Sequence, residues 1–169
     1  MKTSLLDLLM SDLYRYRELA GAPDRPVRKR DLWECLKPRS LPVTLYRISH
    51  HLHLAGLTPL AQIVAWLLFF MFGAEINCRT KVGPGLFLPH ANGIVIGAIS
   101  IGANATIYHQ VTIGASRLEF DMINRPVVGS DVTIGSGAKI LGDITIPDGA
   151  FIAANSVISY RNVKDLAGK

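Results

Sequence analysis

An aliphatic residue recurs every six positions through the second half of this chain of 169 residues. The series slips by one position after Leu88 and is interrupted between Ile113 and Val128. Its members are Ile76, Val82, Leu88, Val95, Ile101, Ile107, Ile113, Val128, Ile134, Ile140, Ile146, Ile152 and Ile158. A small residue often follows the aliphatic one, as Gly102 follows Ile101. A repeat sustained over this length indicates a solenoid built from one small structural unit.

A period of six predicts one short strand and one turn in each repeat. The aliphatic residue would point inward, and the small residue after it would fit a tight corner. Three such strands close a triangular coil of about 18 residues, and coils stack at the ordinary interstrand spacing of about 4.8 Å. Because one coil cannot bury its own interior, the coils must stack and their ends must be capped.

The first part of the chain reads as helical. Leucines recur near helical spacing from Leu5 to Leu13, a second helix is predicted over about 42–55, and a third follows Pro59 and ends at Gly73. We therefore expect a helical region over 1–75, a β-helix over 76–160 and a short tail over 161–169. The break in the repeat, at about 115–127, predicts an outward loop.

The third helix is unusually apolar, because no charged residue lies between Leu54 and Ala74. A membrane-spanning helix needs about 20 apolar residues, and this stretch is interrupted by Gly56, Pro59 and Gln62. We expect the helix to pack against the rest of the protein or a partner subunit. Shallow membrane contact, favoured by the nearby basic cluster at 25–30, is the alternative; a spanning helix fits least well.

Composition narrows the possible partners and compartments. The net charge is +5, and the basic cluster at 25–30 lacks the interleaved aromatic residues of a nucleic-acid surface, so no nucleic-acid partner is expected. Two cysteines cannot form a disulfide framework. Residues 1–18 lack the features of a signal peptide. We expect a cytoplasmic protein, with contact to the inner face of the membrane as the alternative.

Four segments resemble one known family. They are YRISHHLHLAG (46–56), PHANGIVIG (89–97), QVTIGA (110–115) and IGSGAKILGDI (134–144). Together with the six-residue repeat, they resemble the serine acetyltransferase branch of the hexapeptide-repeat acyltransferases, and within it the acetyltransferases of exopolysaccharide (colanic-acid-type) gene clusters. The resemblance implies a left-handed parallel β-helix, a homotrimer and acetyl-CoA as the acetyl donor, with no metal.

Acetyl transfer to a hydroxyl needs a base for the hydroxyl proton and a group that orients the base. His90 matches the family's catalytic histidine in a His-Ala-x-Gly motif, and the histidine side chain ordinarily titrates near pH 6.5. Glu75 stands where the family has the aspartate of its catalytic dyad. The alternatives are a turn histidine that only bonds its neighbours and a surface acid.

His109 follows Ile107 as His90 follows Leu88, so the two histidines should stack on adjacent coils. His109 is then either an acceptor contact or merely a stacked turn residue. The resemblance implies further substrate contacts at Asn92, Arg117, Asn124 and Arg125, with ordinary surface ion pairs as the alternative for the loop residues. It implies coenzyme contacts at Gly114, Ala115, Ser136, Lys139 and Ala154.

Two departures from the family bear on the acceptor. The family's aspartate before the catalytic histidine is replaced by Pro89, and a second acidic position falls near Ala20. Because an ammonium group needs carboxylate partners, these losses argue against a free amino acid. The sequence therefore predicts an O-acetyltransferase acting on a sugar in polysaccharide biosynthesis. The alternatives are a serine O-acetyltransferase of cysteine biosynthesis and, third, a catalytically silent β-helix scaffold.

Overall fold

The structure, a computed structural model, describes residues 3–22, 24–116 and 122–159. The helices are α1 (Leu5–Leu19), a 3₁₀ helix (Lys29–Leu36), α2 (Leu41–Leu54) and α3 (Thr58–Phe72). The strands are β1 (Glu75–Ile76), β2 (Lys81–Val82), β3 (Val95–Ile96), β4 (Ser100–Ile101), β5 (Thr106–Ile107), β6 (Thr112–Gly114), β7 (Val127–Val128), β8 (Thr133–Ile134), β9 (Lys139–Leu141), β10 (Thr145–Ile146), β11 (Phe151–Ile152) and β12 (Val157–Ser159).

The strands form three parallel sheets, which are the three faces of a triangular prism. Their orders are β1-β3-β6-β9-β12, β10-β7-β4-β2 and β11-β8-β5. Each strand therefore pairs with the strand one coil away rather than with its neighbour in sequence, which is the topology of a solenoid. The predicted left-handed parallel β-helix preceded by helices is confirmed.

The interior of the prism is filled by the aliphatic residues of the repeat, with one exception. Ile107, Ile134 and Ile140 are fully buried, whereas Val95 is 40% exposed. Ile96 is the inward residue of its strand, since it pairs with both Ile76 and Ile113. The assignment of Val95 to the core is therefore wrong by one position.

The physical reason lies in the turn between Leu88 and β3, which is longer than the six-residue repeat allows. The step from Leu88 to Ile96 exceeds six residues, and the step from Ile96 to Ile101 is shorter. The extra length falls in the turn that contains His90.

A buried ion pair attaches the helices to the first coil. Arg47 is fully buried, and its Nε and Nη2 atoms donate to the Asp12 carboxylate at 2.9 and 3.0 Å. The same guanidinium donates to the carbonyls of Val82 and Gly83 at 2.6 Å. Asp12 in turn accepts from the backbone N–H of Leu86. Because every partner of this pair is satisfied inside the protein, the pair holds α1 and α2 in one position on the coil.

Tyr16 on α1 makes a second attachment, next to the turn that contains His90. Its hydroxyl donates to the carbonyl of Arg39 at 2.7 Å and lies 3.1 Å from the carbonyl of Leu88. Burial raises the pKa of Tyr16, so the hydroxyl keeps its proton. This contact places α1 and the residues after the 3₁₀ helix beside His90.

Helix α3 is mostly exposed within the chain. Only Ala61 and Leu68 are buried, while Trp66 is 62% and Phe70 is 79% exposed. Helix α3 packs along α2 with one side and presents its remaining apolar surface outward. The expectation that a partner subunit covers this surface stays a prediction. No helix within the described residues is both long enough and apolar enough to cross a membrane.

Candidate active site

One edge of the prism is a column of stacked turns that lead into β3, β6, β9 and β12. Backbone hydrogen bonds join each turn to the next: the N–H of Gln110 donates to the carbonyl of Asn92, that of Gly137 to His109, and that of Asn155 to Ser136. His90 lies in the first of these turns, nearest the helices. The edge therefore carries four of the predicted site positions in one line, His90, His109, Ser136 and Ala154.

The His90 and His109 rings are neighbours on adjacent coils. Their centroids are 5.9 Å apart with an interplanar angle of 82°, and Phe87 bridges Thr106 in the same register. This is the juxtaposition that the repeat predicted. His90 is exposed, while Nδ1 of His109 is buried without a hydrogen-bond partner among the described residues. The His90 imidazole is therefore accessible to a ligand, and Nδ1 of His109 is still able to form a hydrogen bond.

His90 lies between two cavities. The first, of about 300 Å³, is open on one side and is lined by α1, the 3₁₀ helix and the turn, with Tyr16 and Ser40 among its residues. The second, of about 650 Å³, lies against the end of α3 and is lined by Phe70 and Met71. A base that must meet two substrates needs this kind of access from two sides.

Glu75 lies on another part of the prism. It is exposed on β1 and lines a groove of about 470 Å³ with Trp66, Phe69 and Cys78. Its register places it beside Val95 on a face of the prism. Among the described residues, no hydrogen bond joins the Glu75 carboxylate to the His90 ring. The dyad therefore stays a prediction.

The predicted contacts of the outward loop are placed as follows. Arg125 is half-buried, and its Nη1 donates to the carbonyl of Gly97 at 3.0 Å, so part of its guanidinium is directed at the coil. Asn124 is exposed with a left-handed backbone (φ 56°). Arg117 lies outside the described residues. Asn92, by contrast, lines the second cavity together with His90.

The predicted coenzyme positions follow the same edge and the adjoining face. Gly114 and Ala115 lie at the end of β6, and Lys139 on β9 donates from Nζ to the carbonyl of Gln110 at 2.9 Å. Ser136 and Ala154 lie in successive turns of the column. An extended ligand along this edge would therefore run from Ala154 at the outer end toward His90 at the helical end.

Four charged residues of the first cavity were missed by the sequence analysis. They are Arg17, Glu34, Lys37 and Arg39. Arg17 lies at the end of α1, and the other three belong to a run of charges between two predicted helices, which also fits a solvated loop. The described residues contain no group of three histidine, cysteine, aspartate or glutamate side chains that could hold a metal ion.

Comparison with known proteins identifies the class first. Residues 125–159 match the model of the bacterial transferase hexapeptide family (six repeats). Taken with the prism and the histidine on its edge, this match defines a hexapeptide-repeat acyltransferase.

The serine acetyltransferase of Helicobacter pylori (strain 26695) is 39% identical over 132 residues, which cover 76% of this chain and 77% of the relative. That of Staphylococcus xylosus is 38% identical over 127 residues, covering 72% of this chain and 58% of the relative. The chain belongs to the serine acetyltransferase family. The prediction of an acetyl-CoA-dependent acyltransferase is thereby confirmed at the level of the family.

Solved structures agree with this assignment. The serine acetyltransferase of Neisseria gonorrhoeae in complex with serine is 32% identical with a TM-score of 0.76, covering 92% of this chain and 62% of that one. That of Brucella abortus in complex with coenzyme A is 27% identical with a TM-score of 0.74, covering 89% and 61%. The chain therefore spans about three fifths of the length of these two solved relatives.

The prediction of a sugar acceptor is wrong, and the resemblance to exopolysaccharide enzymes in particular is not supported. The relatives at 38–39% identity are serine acetyltransferases. The prediction failed because it considered only the two positions, Pro89 and Ala20, at which the family has an acidic residue. Ala20 and Pro89 do lie in the first cavity, but so do the four charged residues that it missed.

Proposed function

We propose that the protein transfers the acetyl group of acetyl-CoA to the hydroxyl of L-serine, with His90 as the general base. The proposal is supported by the names of the relatives and by one observation above all: His90 is exposed at the junction of two cavities and at the head of the predicted coenzyme edge. A base in this position can receive the acceptor from one side and the thioester from the other.

The chemistry requires few groups. His90 takes the proton from the serine hydroxyl as its oxygen attacks the thioester carbonyl carbon. A carbon–oxygen bond forms, the carbon–sulfur bond breaks, and the proton passes from the imidazolium to the departing thiolate. The products are O-acetyl-L-serine and free coenzyme A. Gly114, Ala115, Ser136, Lys139 and Ala154 are the proposed coenzyme contacts, and acceptor contacts at Asn92, His109, Arg117, Asn124 and Arg125 remain part of the proposal.

The test is release of free thiol from acetyl-CoA in the presence of L-serine. His90→Ala should lower kcat by about 10²–10⁴-fold, the usual contribution of a general base. The matched control is His53→Ala, because His53 is half-buried on α2 and outside both cavities. The control should keep the turnover of the unchanged protein.

The outcomes separate the candidate functions. Full turnover in His90→Ala would remove His90 as the base. No thiol release with L-serine, while coenzyme A still binds, would remove serine as the acceptor. Loss of both turnover and coenzyme binding in a folded protein would favour the catalytically silent scaffold.

We further propose that the protein acts as a homotrimer, as the family resemblance implies, with the exposed face of α3 covered by a second copy. The support is the amount of apolar surface, since soluble proteins rarely leave so large a patch uncovered. Contact with the inner face of a membrane, in a cytoplasmic protein, is the competing proposal.

A further inference from the structure

The first cavity contains charges of both signs beside His90. One acid, Glu34, and three cations, Arg17, Lys37 and Arg39, line it. The two positions at which the family would place carboxylates, Ala20 and Pro89, line the same cavity without a charge. Neither position therefore offers a carboxylate to the ammonium group of an acceptor.

The carboxylate of Glu34 already forms ion pairs with cations of the protein. Its Oε1 lies 3.0 Å from Arg17, 3.7 Å from Arg25 and 3.7 Å from Lys37. The hydrogen bond from Arg17 lowers the pKa of Glu34, so the carboxylate stays ionised at neutral pH. A carboxylate that three cations already neutralise adds little attraction for the ammonium group of a ligand.

The side chain of Arg39, unlike that of Glu34, has no charged partner among the described residues. Its side chain is exposed and forms no ion pair within the described residues, while its carbonyl is held by the Tyr16 hydroxyl. Arg39 lines both cavities, and it shares this position with Pro89 and His90. The Tyr16 contact thus fixes the backbone of an unpaired guanidinium next to the candidate base.

Lys37 adds to the positive charge. Its Nζ lies 4.4 Å from the centre of the Trp33 ring, and its side chain is half exposed toward the cavity. Three cations and one acid line the cavity, so it is electropositive even though Arg17 and Lys37 both lie near Glu34. Among these cations, Arg39 is the one with no ion pair to a described carboxylate. Anions gain from such a site, and a guanidinium is well suited to a carboxylate because it can donate two parallel hydrogen bonds.

We propose that the protein recognises its acceptor through the acceptor's carboxylate, bound by Arg39 with support from Lys37, and has no group dedicated to the ammonium. This inference rests on the proposed function for the role of His90. It deepens that function by defining the acceptor class as short hydroxycarboxylates, of which L-serine is one. The ammonium of serine would remain in the open part of the cavity.

Three acceptors test the proposal in the same thiol-release assay. L-Serine has a carboxylate and an ammonium, 3-hydroxypropanoate lacks the ammonium, and ethanolamine lacks the carboxylate. The first two should differ in kcat/KM by about tenfold or less, and ethanolamine should be lower by about a hundredfold, as expected when a charge-assisted bidentate bond is lost. Equal use of ethanolamine and serine would overturn the inference.

Arg39→Gln should raise the KM for L-serine and 3-hydroxypropanoate by about tenfold or more, with kcat and the KM for acetyl-CoA little changed. The matched control is Arg30→Gln, an exposed residue of the 3₁₀ helix that does not line the cavity. An unchanged KM for serine in Arg39→Gln would overturn the assignment.

Failure of the inference can be told apart from failure of the proposed function. Turnover of serine without turnover of 3-hydroxypropanoate would keep the function and overturn the inference. If no acceptor is acetylated, calorimetric titration of the three compounds into the full chain decides. Binding of both carboxylates that weakens in Arg39→Gln supports the inference, and binding of ethanolamine alone contradicts it.

Discussion

At the scale of single residues, the proposed chemistry of this protein is concentrated at His90. The turn that contains it is longer than the six-residue repeat allows, and the residues beside it line two cavities. Glu75, the predicted orienting acid, lies on a separate strand face.

Glu75→Gln tests the dyad. If the Glu75 carboxylate orients His90 in the assembled protein, the substitution should lower kcat by about a hundredfold or more with little change in the KM for either substrate. Asp143→Asn is the matched control, because Asp143 is an exposed acid on an outer coil. Wild-type kcat in Glu75→Gln would show that His90 is oriented by another group.

At the scale of elements, two glycines of the repeat differ in the space around them. A Cβ added at Gly83 would lie 2.7 Å from the backbone nitrogen of Ala103 on the next coil, so this corner has no room for a side chain. A Cβ added at Gly114 would meet no described atom within 4 Å. Gly83 is therefore required by coil stacking, whereas Gly114, a proposed coenzyme contact, is not.

The substitution Gly83→Ala should lower the free energy of unfolding by about 1–3 kcal/mol, because adjacent coils must move apart. Gly114→Ala should change it by less than about 0.5 kcal/mol. Urea denaturation followed by circular dichroism measures both values. Equal costs at the two positions would contradict the assignment of Gly83 to coil stacking.

At the scale of the whole molecule, the apolar outer face of α3 is a surface that the described part of the chain does not cover. Trp66, Phe69, Phe70 and Met71 are each more than half exposed on a helix without a charged side chain. Removing this apolar surface from water is favourable, and the proposed trimer would bury it.

Light scattering should give a mass three times that of the chain, and Phe70→Ser should shift the protein toward smaller species because it removes apolar area from the interface. Phe151→Ser is the matched control, since Phe151 is 72% exposed on β11, away from α3. A monomer that floats with anionic vesicles through α3 would instead support the membrane proposal.

Much of the fold could be predicted because it is encoded locally. In a β-helix the contacts of each strand repeat with the period of the sequence, so six-residue spacing shows which side chains face inward. The error within the repeat, Val95 for Ile96, arose where the turn around His90 departs from that period. The helices α2 and α3 could likewise be placed from Pro42, Pro59 and Gly73.

The candidate site was predictable only in part. His90 follows from its motif, and its closeness to His109 follows from counting residues along the coil. The cavity charges were not predictable, because Glu34, Lys37 and Arg39 reach His90 only through the packing of α1 and the 3₁₀ helix on the first coil. Those contacts depend on the Arg47–Asp12 pair and on Tyr16, which join residues far apart in the sequence.

The sequence by itself thus determined the prism, its helical cap and the position of the proposed base, since each rests on short-range periodicity or on a contiguous motif. Only the tertiary structure decided which charges line the cavity beside His90 and that α3 faces outward. The physical reason is that helix docking is set by contacts between distant segments, and no period or motif in the chain records which side chains those contacts bring together.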